Sequence, residues 1–148
     1  MRFRKPGLRE NKKIFRILMF VMFFTWSAWV FMSFSDPVRF NFASWQKYFG
    51  VAVFAVGLVI FGLSEITKEG VAEKGFLVTK GLYSKIRHPM YFGQMLMAFG
   101  FPLFAQGLVT LCLSVIWIAQ ILYWKALEER ELLAKYPEYE EYKKRTWF

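Results

Sequence analysis

Apolar residues run almost without interruption over positions 14–34, 48–63, 89–105 and 108–127, and polar chain separates the four stretches. About 21 helical residues, rising 1.5 Å each, cover the roughly 30 Å hydrocarbon layer of a bilayer. The pattern predicts an all-α polytopic membrane protein with about four transmembrane helices, a C-terminal helical hairpin and an amphipathic tail. Asp36-Pro37 should stop the first helix. Between Arg39 and Lys47 the chain carries Phe40, Phe42 and Trp45, aromatic residues suited to a membrane boundary. Gly50, Gly57 and Gly62 in the second run would let a neighbouring helix approach closely.

The polar connection from Ser64 to Arg87 is the longest between runs, and Gly70, Gly75 and Gly81 are expected to break it into turns. Pro89 suits the first turn of the third helix, where its missing N–H would have no partner anyway. Pro102 is expected to kink that helix near its far end. Gln106-Gly107 leaves room only for a tight turn, so the third and fourth helices should pair antiparallel. Beyond Leu127 the chain turns polar and Pro137 divides it. Glu138, Glu140 and Glu141 precede Lys143, Lys144 and Arg145, an order that complements the dipole of a short helix. Tyr136, Tyr139 and Tyr142, beside Leu132 and Leu133, give this tail a membrane-surface or protein-covering face. No repeat or low-complexity linker is present, so residues 1–148 read as a single membrane-embedded domain, with 75–148 as its chemical half.

Composition strengthens the membrane reading, since 56% of residues are hydrophobic and 18 are Phe. A formal charge of +9 raises nucleic acid as a partner, but the distribution of the 20 basic residues opposes it. Arg2, Arg4, Lys5, Arg9, Lys12, Lys13 and Arg16 precede or open the first run; Lys68, Lys74, Lys80, Lys85 and Arg87 lie between the second and third; six more follow from Lys125 onward. Basic residues in alternate connections are the positive-inside bias of a membrane protein, which places both termini and the polar loop in the cytosol. The single Cys112 lies in an apolar run, so no intrachain disulfide or thiolate metal cluster can form. The polar N-terminus is too long for a signal-peptide n-region, so the first run reads as a retained helix.

One histidine, His88, stands between Arg87 and Pro89 where polar chain meets apolar chain. An ionisable group at a membrane boundary marks a place where chemistry can sit. The predicted hairpin returns the chain to the same level at Glu128-Glu129.

These residues carry a resemblance. Leu77-Val78-Thr79-x-Gly81-x-Tyr83, Arg87-His88-Pro89-x-Tyr91-x-Gly93, Glu128-Glu129-x-x-Leu132 and Tyr139-x-x-Tyr142 recur in that order and spacing. The pattern, covering about the last 75 residues, resembles the isoprenylcysteine carboxyl methyltransferase and phospholipid methyltransferase group of integral-membrane enzymes. The resemblance implies S-adenosylmethionine as cofactor and a lipid or prenylated small molecule as acceptor. It also implies that Leu77, Val78, Tyr83, His88, Pro89, Met90, Tyr91 and Glu128 contact the cofactor.

The residue types agree with such roles. A helix opening at Pro89 offers free N–H groups to a carboxylate, Glu128 offers a counter-charge, and Tyr83 and Tyr91 offer aromatic surface to adenine or a sulfonium. Methyl transfer from a sulfonium is an in-line displacement that needs positioning and no metal or triad. A carboxylate acceptor would call for Arg87 or Lys125, and an amine acceptor for Glu129, Trp117 or Trp124. Carboxyl methyltransferases of this group carry an arginine one turn before the glutamate that matches Glu128; here Trp124 stands there, with Lys125 next to it. Ser114, Trp117, Gln120, Trp124 and Glu128 form a helical stripe that Gln94 and Tyr91 could face across the hairpin. That stripe would line an acceptor path or serve helix pairing. Two other readings stay open: a nicotinamide-dependent membrane reductase-like protein, and a non-catalytic membrane adaptor on the same scaffold.

Overall fold

The computed structural model describes residues 12–72 and 77–148, and the regular structure among them is helical, with two isolated β-bridges. The expected turn at Gly75, Lys74 and the basic residues at positions 2–9 lie outside the described residues. Five α-helices follow in order: α1 Lys12–Phe34, α2 Gln46–Ala72, α3 Pro89–Ala105, α4 Leu108–Lys135 and α5 Tyr139–Arg145, with a one-turn 3-10 helix at Gly81–Ser84 before α3. Among the described residues α2, over Gln46–Thr67, and α4 are long and apolar enough to cross a membrane, with 18-residue stretches of mean hydropathy 2.2 and 1.6. Apolar side chains point outward in quantity, Phe31 at 71% and Val115 at 68% exposure among them.

Two helices outrun their apolar stretches. α2 continues nine residues past Leu63, so Gly70 lies inside a helix and makes no turn. α4 continues through Glu-Glu-Arg-Glu-Leu-Leu-Ala-Lys to Lys135. A fall in hydropathy marks the end of an apolar stretch, whereas a helix ends only where the backbone finds a breaker, and Glu, Leu, Lys and Ala are strong helix formers. α2 and α4 therefore continue beyond their apolar stretches, and the loop and tail collect around their ends.

The tightest packing is between α2 and α3, and glycine makes it possible. A Cβ on Gly57 would lie 2.7 Å from the Gly93 carbonyl oxygen, and one on Gly100 would lie 2.8 Å from that of Gly50. Each helix thus presents two glycines seven residues apart, Gly50/Gly57 against Gly100/Gly93, with the chains antiparallel. Gly62 meets nothing within 4 Å and takes no part in this contact. Replacing Gly57 or Gly93 with alanine is expected to lower stability by about 2 kcal/mol, because backbone stands where the methyl must go. Gly62→Ala should have no such effect. Thermal unfolding in detergent distinguishes them, and equal behaviour of the three variants would contradict the packing.

At the opposite end from the motifs, the α1–α2 connection caps two other helices. Asp36 accepts hydrogen bonds from the Thr110 backbone N–H and hydroxyl, both at 2.7 Å, and so satisfies the first turn of α4 from outside it. Arg39 donates to the Ala105 carbonyl at 2.6 Å, to Ser33 at 3.0 Å and to Phe34, closing the ends of α3 and α1. Gln46 donates to Leu103 at 3.2 Å. Gln106 takes the left-handed conformation, φ 60°, in the two-residue turn between α3 and α4. Gly107 follows because a side chain would strike the Asp36 carboxylate at 2.8 Å. The Ser114 hydroxyl donates to the Ala98 carbonyl at 2.7 Å, so α4 runs back along α3.

Candidate functional site

The antiparallel course of α3 and α4 brings the first residue of one helix level with the polar end of the other. Gly81, at φ +58°, opens the 3-10 turn, and backbone hydrogen bonds from Lys85 and Ile86 to Leu82 fold the chain so that Arg87 and His88 arrive at the start of α3. His88 is the N-cap, Pro89 the first helical residue, and Phe92 N–H donates to the His88 carbonyl at 3.0 Å.

Three ionisable residues then meet. His88, its side chain 5% exposed, has Nδ1 3.7 Å from Glu128 Oε2 and Nε2 3.4 Å from Glu129 Oε1. The Tyr139 hydroxyl lies 3.4 Å from the same Nε2. The Tyr91 ring stacks on the imidazole at 5.6 Å between centroids. Burial pushes the imidazole below its usual 6.5, against the pull of Glu128 and Glu129, so His88 is neutral at physiological pH. Glu128 keeps 42% of its side chain exposed and is the open member of the pair.

Glu129 is the junction. Arg87 Nε lies 3.3 Å from Oε1, Lys125 Nζ 4.0 Å from the same oxygen, and Lys143 Nζ 2.9 Å from Oε2. Burial works to raise its pKa, yet Lys143, His88 and Arg87 together hold it below the usual 4.5. Arg87 also donates to the carbonyls of Lys143, at 2.9 Å, and Thr146, pinning the C-terminal end of α5. The Tyr142 hydroxyl donates to the Tyr83 carbonyl at 2.5 Å, and burial raises its pKa to about 12. Burial and the nearby Glu129 carboxylate raise that of Tyr139 as well. Trp147 completes the strap: its N–H donates to the Lys85 carbonyl at 3.0 Å, and its carbonyl accepts from Arg87 N–H at 3.1 Å.

Of the residues singled out from the sequence, the fold gathers Arg87, His88, Tyr91, Lys125, Glu128 and Glu129 in one cluster. Pro89 is fully buried and Met90 sits beside it in the first turn of α3. Leu77 and Val78 are half-buried in the extended chain ahead of the 3-10 turn that holds Tyr83. The proposed acceptor stripe divides. Trp117 packs on Trp26 and Trp29 of α1, at 6.1 and 6.0 Å between centroids. Gln120 and Trp124 are exposed, Gln94 is buried in α3, and the inward line of α4 is Thr110, Ser114 and Ile121.

Sequence reasoning passed over Lys143, Thr146, Trp147 and Phe148. The three-residue tyrosine spacing of the tail was their signal, because Tyr139 and Tyr142 use that face to cover the site.

The fold and this cluster define an all-helical protein with membrane-length apolar helices and its ionisable groups joined at one polar end. The chain belongs to the family described as "Protein of unknown function (DUF1295)", whose model matches residues 2–146. It is also similar to "Methanethiol S-methyltransferase 1" of Bradyrhizobium diazoefficiens, with 28% identity over 155 residues, covering 96% of this chain and 54% of that protein. The chain thus spans about half the length of the curated relative it matches. No solved structure matches it. Neither match names the isoprenylcysteine carboxyl or phospholipid methyltransferases.

Proposed function

We propose that this chain is an integral-membrane methyltransferase that uses S-adenosylmethionine at the cytosolic face and methylates an apolar or amphiphilic acceptor arriving from the bilayer. In this reading α1 to α4 cross the membrane, and both termini lie in the cytosol with the site. The observation that carries it is the meeting of the buried His88 imidazole with the half-exposed Glu128 carboxylate at the opening of α3. The relative's name adds a thiol as one acceptor chemistry.

The donor set suits the cofactor. Met90 and Tyr91 stand at the second and third positions of α3, at the positive end of the helix dipole, which favours a carboxylate. Glu128 suits an amino group or ribose hydroxyls, and the Tyr91 face suits adenine or a cation. Leu77, Val78, Tyr83 and Pro89 would shape the remaining wall. Bound S-adenosylmethionine would supply an electrophilic methyl carbon. His88 takes up the proton that a thiol acceptor loses as the sulfur–carbon bond forms, and Glu128 and Glu129 stabilise the resulting imidazolium. Tyr139 of α5, its hydroxyl 3.4 Å from His88 Nε2, covers the imidazole.

Purified protein is expected to bind S-adenosylmethionine and its demethylated product in calorimetric titrations, to prefer both to NADPH, and to methylate methanethiol. Glu128→Ala should weaken cofactor binding about tenfold, the loss of one charge-assisted contact. A preference for NADPH, or unchanged binding in the variant, would refute the site. Binding with no transfer to any thiol or lipid acceptor would make the chain an adaptor.

A further inference from the structure

We propose that Phe148, with Trp147 behind it, sets the size limit of the acceptor by filling the crevice between α3 and α4, so that the site takes neutral thiols with short carbon chains. This rests on the methyl-transfer reading above. The Phe148 ring lies 5.6 Å from that of Phe92 in α3, and Lys125 Nζ of α4 lies 4.0 Å from its centroid. One aromatic ring therefore spans both helices. Phe92 directly follows Tyr91, and Lys125 precedes Glu129 by one turn and lies 4.0 Å from it, so the ring stands immediately beside the cluster. Trp147 packs on Phe92 at 5.3 Å and is fixed by backbone hydrogen bonds to Lys85 and Arg87, which holds the Phe148 ring in place. An alkyl chain reaching the His88 cluster between α3 and α4 must occupy the volume that this ring now holds.

The preference for a neutral acceptor has a separate basis. Arg87 is divided between Glu129 and the carbonyls of Lys143 and Thr146. Lys143 is paired with Glu129 at 2.9 Å. Lys125 lies between Glu129 and the Phe148 ring. A carboxylate acceptor would have to take one of these cations from Glu129 and leave that half-buried anion undercompensated. A thiol makes no such demand. Its proton passes to the neutral imidazole.

The test measures binding apart from turnover. Alkyl methyl sulfides from methyl to hexyl, the products of the proposed transfer, are titrated into protein saturated with the demethylated cofactor. For the natural chain, affinity should rise little or fall beyond the shortest chains. In Phe148→Ala the hexyl-to-methyl affinity ratio should rise about tenfold, since each buried methylene adds favourable transfer energy. Phe148→Leu, which restores apolar volume, should return the ratio most of the way. The proposal is overturned by a ratio equal in all three proteins, or by tighter binding of hexanoate than of the hexyl sulfide. Methyl transfer to methanethiol is followed in parallel: its absence together with a shifted ratio removes the catalytic reading and keeps the size limit, whereas transfer with an unshifted ratio does the reverse.

Discussion

Glu129→Gln is expected to release the C-terminal strap and to lower stability by about 3 kcal/mol. The carboxylate is 13% exposed and meets Arg87, Lys125 and Lys143. Glutamine keeps the volume and hydrogen-bonding capacity but removes the charge, leaving three cations without their shared anion. Removing one member of a buried pair commonly costs about 3 to 5 kcal/mol, and the exposed Lys143 moderates the lower end of that range. Thermal unfolding reports the total, and hydrogen exchange of α5 reports the release. An unfolding temperature within a degree of the natural protein, with α5 still protected, would show that the cations find other partners and that Glu129 is no junction.

His88→Asn is expected to reduce methyl transfer to a thiol about 100-fold, a typical contribution of a positioned base. It should also change the acid limb of stability. The folded imidazole binds its proton less readily than the unfolded one, so the unfolded chain holds more protons as pH falls below 6.5, and stability is lost in that direction. Glu129, held below 4.5, adds a second loss in the same direction, in the carboxylate range. The natural protein should therefore begin to lose stability on acidification just below pH 6.5, and the asparagine variant only near the carboxylate range. Identical acid limbs would mean that folding leaves the His88 pKa unchanged. A variant with full transfer activity would remove the imidazole from the chemistry.

Several features were legible because they depend on local chemistry. Pro89 at a helix start, Asp36-Pro37 after a helix end and Gln106-Gly107 as a two-residue turn are each fixed by backbone restrictions over a few residues. Gly50 and Gly57 were legible as close-approach positions, whereas Gly62 carries the same residue type and meets nothing. Which glycine faces a neighbour depends on helix rotation, which no single run specifies. The acceptor stripe shows the same limit. Spacing along α4 puts Gln120 and Trp124 in line with Ser114, yet the inward face passes through Ile121 and on to Lys125. In a helix that is apolar all round, hydrophobicity does not separate inside from outside, so periodicity does not define the phase.

Helical content, the starts of the four long helices to within two residues and the level at which His88 and Glu128 stand could be read from the residues alone. Each follows from apolar run length, from proline and from the two residues available for a turn. It took the folded chain to show that Glu129, more than Glu128, ties the cluster together, that Arg87 holds the strap, and that Trp147 and Phe148 pack on Phe92, with Lys125 over the Phe148 ring. Those contacts join residues from about 20 to 60 positions apart in the chain, and their geometry comes from the glycine-mediated approach of α2 to α3 and the return of α4 along it. No local pattern encodes a distance of that kind.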